Sequence, residues 1–138
     1  MMALAEITGE DLDLNRHLAA VEGREFGAVA TFIGQIRDHD PEASGTVDRL
    51  EYSAHPDAES ILRKIVEELE RPEVRIAVSH RTGSVAVGEP ALIACVAAAH
   101  RQPAYEVSRE LVERVKAEVP IWKHQVAADG SKNWQGLR

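Results

Sequence analysis

From Ala91 to Ala99 the chain runs ALIACVAAA, nine residues without a charge. A bilayer span needs roughly 18 to 20 such residues, so this stretch is far too short to cross a membrane. Preceded by the turn former Gly88, it reads as a strand buried in a folded core. At 138 residues and 44% hydrophobic content, the chain is long enough to bury a real core but too short for two. Residues 1–138 are therefore expected to form one domain. The segment Met1 to Asp13 carries Glu6, Glu10, Asp11 and Asp13 where a secretory signal needs basic and then apolar residues, which points to the cytoplasm.

The other elements follow from periodicity and punctuation. Gly27 to Ile33 (GAVATFI) is rich in small, β-branched and aromatic residues and reads as a strand, followed by a polar loop from Asp38 to Thr46. Val47 to Tyr52 alternates well enough to pair back. Ala58, Ile61, Leu62, Ile65, Val66 and Leu69 recur at three- and four-residue steps, predicting a helix over 57–71 between Pro56 and Pro72. Val74 to Ser79 alternates as a strand, and Gly83 and Gly88 bracket the short segment Ser84 to Val87. A second helix is expected over 104–118, with Ala104, Val107, Leu111, Val112 and Val115 inward, and a strand over 121–126 before a turn at Asp129-Gly130. The expected fold class is α+β: one α/β hammerhead-type domain, a mixed sheet with two main helices and a short N-terminal helix.

Several chemistries are excluded at this level. There is no phosphate-cradling glycine loop, no His-Glu-x-x-His helix and no Gly-x-Ser-x-Gly elbow. His17, His39, His55, His80 and His124 share no metal-ligand spacing, so solvated or packed roles are expected for them and no metal site is. Cys95, the only cysteine, lies within the apolar strand, where a thiol is hidden and its pKa raised. A net charge of -7 repels phosphodiester backbones and argues against a nucleic-acid partner.

Against that acidic background, cations gather at the ends of elements. Arg37 follows the first strand, His100 and Arg101 the most apolar one, Lys116 ends the second helix and Lys123 lies beyond Pro120 beside Trp122. Arginine offers phosphate a planar fork, while a lysine near other cations loses its proton more easily and can act as acid or base. Taken singly, each of these residues is an ordinary solvated charge: Lys116 can pair with Glu113, Arg37 with Asp38 or Asp40, and Trp122 can be core. Together they suit a small anionic substrate.

The ordered set Thr31-Phe32-Ile33-Gly34-Gln35-Ile36-Arg37, Leu50-Glu51-Tyr52, His100-Arg101, Lys116, Pro120-Ile121-Trp122-Lys123, Asp129-Gly130 and Trp134 resembles the large, catalytic subunits of molybdopterin synthases. The resemblance implies a sulfurtransferase of molybdenum cofactor biosynthesis, acting on cyclic pyranopterin monophosphate. Sulfur would come from the carboxy-terminal Gly-Gly thiocarboxylate of a small ubiquitin-like subunit, and the complex would be a heterotetramer built on a homodimer of this chain. It implies Lys116 and Lys123 as catalytic residues, with Gln35, Ile36, Arg37, His100, Arg101, His124 and Gln125 joining them in binding substrate. Phe32, Pro120 and Trp122 would line the pocket, residues of both copies would share one site, and no cofactor is implied. The chain departs from the family at Gln35, commonly lysine, at Gln125, commonly glutamate, and in the short stretch after Trp134. Two other readings draw on the same cations: a pterin-phosphate or ubiquitin-like-partner binding module without catalysis, and a phosphate-binding hydrolase or regulatory domain.

Overall fold

The computed structural model describes residues 3–38, 47–127 and 132–136. Among them the chain order is β1 (Leu4–Thr8), α1 (Leu14–Ala20), β2 (Ala28–Gln35), β3 (Val47–Ala54), α2 (Ala58–Leu69), β4 (Val74–Arg81), β5 (Gly83–Ala86), β6 (Pro90–Ala98), α3 (Arg101–Glu118), β7 (Ile121–Ala127) and β8 (Lys132–Gly136). The apolar strand is β6, and every residue from Ala91 to Ala98 is buried. It sits inside a four-stranded sheet of order β1-β4-β6-β2, in which β1 and β4 run parallel and the other pairs antiparallel. A second sheet, β5-β3-β7-β8, is antiparallel throughout. The α+β class, the two main helices and the short N-terminal helix are as expected.

A strand without polar side chains needs cover on both faces. On one face Leu92, Ala94, Val96 and Ala98 join the core formed by Leu62, Ile65 and Val66 of α2 and Val107, Leu111 and Val115 of α3. On the other, Ile93, Cys95 and Ala97 pack with Val21, Leu14, Ala20 and Phe26, around α1. That helix lies over β4 and β6, so the same face of β2 is left open, with Val29, Thr31 and Ile33 exposed along the edge strand. Asp13 caps α1 by accepting from the Asn15 N–H at 3.0 Å.

Several boundaries move for physical reasons. Helix α3 begins at Arg101, three residues before its first core residue Ala104; Pro103 is tolerated because first-turn N–H groups have no intrahelical acceptor. Strands β1 and β8 were not foreseen: each is short, and each pairs along the free side of a longer strand, β4 and β7. Gly83 and Gly88 both have positive φ, at 85° and 88°, which accounts for glycine at these turns. The expected turn at Asp129-Gly130 and most of the loop from Asp38 to Thr46 lie outside the described residues.

Leu111 is fully buried where α3 meets the sheet. Leu111→Ala is expected to lower the unfolding free energy by about 2–5 kcal/mol, measured by urea denaturation.

Candidate active site

Antiparallel pairing decides where the cations lie. In the β2–β6 ladder Ala28 faces Ala98 and Gln35 faces Pro90. Arg37, just past β2, therefore emerges at one end of the sheet and His100, just past β6, at the other, about 26 Å away along the strands. Helix α3 then runs back over β2 and β6, and the rise from Arg101 to Lys116 is about 22 Å. Lys116 returns to the end where Arg37 emerges. One copy of the chain thus brings Lys116 and Lys123 together, with Arg37 at the same end of the sheet, and holds His100 and Arg101 apart from them.

At the lysine end the two sheets meet. His80 and Gly34 both face Leu92 across β6, which puts His80 in the last rows of the first sheet. Its ring stands edge-on to Tyr52 of β3, with centroids 5.1 Å apart and planes at 78°. Tyr52 in turn faces Lys123 across the β3–β7 ladder. Lys116 is half-buried at this junction. Burial pushes its amine below the usual lysine range, the like charge of Lys123 lowers it further, and Glu113 opposes both. His80 is driven down to about 4, chiefly by burial, with the Lys116 ammonium adding to the shift. Burial lifts the Tyr52 hydroxyl to about 12.

The remaining sequence candidates are placed as follows. Gln35 and Arg37 are exposed. The Ile36 side chain is buried, its N–H donates to Glu89 O at 3.1 Å and its carbonyl accepts from the Gly88 N–H at 2.8 Å, so it anchors the exit of β2. Phe32 is half-buried against the α2–α3 core, Pro120 accepts from the His55 N–H at 3.0 Å, and Trp122 is 44% exposed on β7. His124 is buried with Nδ1 3.7 Å from a Glu51 carboxylate oxygen. The side chains of Gln125 and Trp134 lie outside the described residues; their backbones pair with Leu50 and His124. His100 and Arg101 are exposed, and His100 is the N-cap of α3.

Sequence reasoning grouped His80 with the scattered histidines and gave Tyr52 no role. His80 directly follows the expected strand Val74 to Ser79, but nothing in the chain marks which residue of the other sheet its ring meets. Of the solvated or packed roles expected for the histidines, His17 takes the packed one. Its Nε2 lies 2.7 Å from Ser79 Oγ, which donates to Glu6 at 3.3 Å, and its Nδ1 lies 2.7 Å from Asp13 O. With His17 and Ser79 both buried, this His-Ser-carboxylate chain ties α1 to the sheet. Among the described residues no three His, Cys, Asp or Glu side chains converge to hold a metal. A groove of about 780 Å³ beside Glu67, Glu70, Arg71 and Arg75 lies away from the lysines. Cys95 is buried, and burial raises its thiol.

The fold and site define an α+β domain with a half-buried lysine set beside a second one where its two sheets meet. The chain belongs to the MoaE protein family, whose model matches residues 7–118. It is 37% identical over 137 residues to "Molybdopterin synthase catalytic subunit 1" of Mycobacterium tuberculosis H37Rv, an alignment covering 96% of this chain and 90% of that one. The crystal structure of a molybdopterin synthase from Staphylococcus aureus superposes with a TM-score of 0.87 at 29% identity, covering 99% and 98% of the two chains. The fold is also that of a protein–protein complex of subunits 1 and 2 of molybdopterin-converting factor from Helicobacter pylori, with a TM-score of 0.78 at 22% identity, covering 99% of this chain and 92% of that one.

The buried histidine carries a pH dependence whose sign follows from linkage. Its folded-state pKa, about 4, lies below its ordinary 6.5, so between those values the unfolded chain binds more protons and stability falls as pH drops. The unfolding free energy is expected to fall from pH 7 to pH 5. In His80→Phe, urea titrations at the two pH values should show that fall reduced by on the order of 1 kcal/mol.

Proposed function

We propose that this chain is the catalytic subunit of a molybdopterin synthase: a sulfurtransferase that converts cyclic pyranopterin monophosphate to molybdopterin in molybdenum cofactor biosynthesis. The observation that carries this is the half-buried Lys116 beside Lys123, two amines at the junction of the sheets in a protein of net charge -7. The sulfur donor is the carboxy-terminal Gly-Gly thiocarboxylate of a small ubiquitin-like subunit. Cys95 supports an outside donor, since a sulfurtransferase carrying its own persulfide needs an exposed thiolate. The names of the relatives, a catalytic subunit and a two-subunit complex, fit such a partner.

In this reading Lys116 transfers the proton as the cyclic phosphate opens, and Lys123 keeps its amine ready by charge repulsion. Arg37 and Gln35 approach the substrate from the exit of β2, where Ile36 fixes their place, and His124 and Gln125 from β7. His100 and Arg101 bind phosphate from a second copy, because in their own copy they lie at the far end of α3 from Lys116. The open edge of β2 suits that dimer. Pairing two β2 strands antiparallel about a two-fold axis sets the Ala28 end of one copy, with its His100 and Arg101, beside the Gln35 end of the other. Residues 1–138 act as one domain, and the complex is a homodimer carrying two small subunits. We place it in the cytoplasm; no described helix is long and apolar enough to cross a membrane.

Mixed with thiocarboxylated small subunit and cyclic pyranopterin monophosphate, the protein is expected to make molybdopterin. Lys116→Ala should lower the rate by about a hundredfold or more with the dimer intact, and Cys95→Ser should keep most activity. Complementation tests the shared site: Lys116→Ala and Arg101→Ala dimers are each inactive, and after subunit exchange an equal mixture should recover about a quarter of the wild-type rate. Product from Lys116→Ala at the wild-type rate defeats the catalytic assignment, and a mixture that stays inactive after exchange defeats the shared site.

A further inference from the structure

Gly27 stands at the corner where β2 begins and β6 ends. Ala28 faces Ala98 in the ladder, and one step outside it Gly27 lies against Ala99. A Cβ on Gly27 would stand 2.6 Å from the Ala99 carbonyl oxygen, well inside the contact distance of two unbonded atoms. The β2 side of this contact is fixed. Phe26 packs with Ile93, Cys95 and Ala97, the Arg75 guanidinium lies 4.9 Å over its ring, and Ala28 packs against the main core. Ala98 is fixed as well, fully buried between Ala28 and Val74. A side chain at position 27 would therefore push on the exposed bend at Ala99 and His100.

We infer that Gly27 is a positioning residue for the phosphate-binding cations: having no side chain, it lets the Ala99 carbonyl close on β2 and so sets where His100 and Arg101 stand. This rests on the reading of His100 and Arg101 as ligands of the substrate phosphate in a shared site. The path from the contact to the cations is short. Ala99 is bonded to His100, whose carbonyl accepts from the Ala104 N–H at 3.4 Å, and Arg101 is the first residue of α3. The His100 side chain makes no capping bond to its own helix, so its place follows from the backbone at this corner. A shift of about 1 Å in a group that positions substrate can cost on the order of a hundredfold in rate. The effect falls across the dimer, on the lysine end of the copy to which the glycine does not belong. Gln35 and Arg37 of the same copy lie at the other end of β2, where the Ile36 backbone is held by Gly88 and Glu89.

Gly27→Ala adds a single methyl group at the corner. With thiocarboxylated small subunit, its KM for cyclic pyranopterin monophosphate is expected to rise on the order of tenfold or more while kcat stays within about threefold, since the lysines are untouched. Subunit exchange then locates the defect. At low substrate, an equal mixture with Lys116→Ala should recover about a quarter of the wild-type rate, because each mixed dimer keeps one intact site. A mixture with Arg101→Ala should gain nothing, because both lesions strike the same half of the site. Recovery with Arg101→Ala and none with Lys116→Ala puts the defect in the glycine's own copy and overturns the proposal. Failure to recover with either partner also overturns it, as does a wild-type KM. A Gly27→Ala chain that no longer forms a folded dimer overturns it too, by making the glycine a requirement of the fold. If the control mixture of Lys116→Ala with Arg101→Ala stays inactive, the shared site is what fails, and NMR amide shifts decide the rest. Gly27→Ala should move the His100 and Arg101 amides and leave those of Gln35 and Arg37 in place; unmoved His100 and Arg101 amides defeat the positioning role.

Discussion

The burial of β6 on both faces is the constraint from which the rest of the molecule follows. A strand reading ALIACVAA has no polar side chain to turn toward water, so helices must cover both of its faces. α2 and α3 cover one and α1 part of the other. The chain leaves β6 at His100 and at once becomes α3, the helix that covers the strand it has just left. A helix about as long as its strand has to end where the strand began, and that return delivers Lys116 to the junction of the two sheets.

What Lys116 meets there is electrostatically costly. An ammonium half-removed from water and set near a second ammonium loses solvation and gains repulsion, and Glu113 offsets only part of this. In a protein of net charge -7 such a pair is a local exception maintained against the average. In the proposed function an anionic substrate offsets it, because each negative group that enters weakens the repulsion between the two amines. On that reading the lowered lysine pKa favours proton transfer nearer neutral pH.

The helices and the apolar strand were readable because side-chain periodicity records which face is buried, and that record is local. Ala58 through Leu69 and Ala104 through Val115 announce their inner faces without reference to anything else. β1 and β8 announce nothing, because short strands at the free side of a partner exist through that partner's hydrogen bonds. The start of α3 was hidden by Pro103, which breaks a helix interior but sits comfortably in a first turn. Among the site residues, Lys116 and Lys123 could be picked out as cations at element ends. His80 and Tyr52 could not, since their meeting depends on one sheet folding against the other, and no spacing in the chain encodes that contact.

Placing a residue at the end of an element leaves open which end of the molecule it occupies, and here that is settled by counting reversals. The exit of β2 lies at the lysine end. β6 runs antiparallel to it, so its exit, at His100 and Arg101, lies at the opposite end. α3 reverses once more and brings Lys116 back, and β7 starts where α3 stops, so Lys123 stays with it. The five cations therefore divide three and two by parity alone, and no rotamer change within one chain can close a gap as long as a strand. A substrate that needs both groups needs two chains arranged antiparallel, which is what a two-fold axis through a paired strand edge supplies. On this reading the exposed side of β2, with Val29 and Ile33 open to solvent, completes the active site.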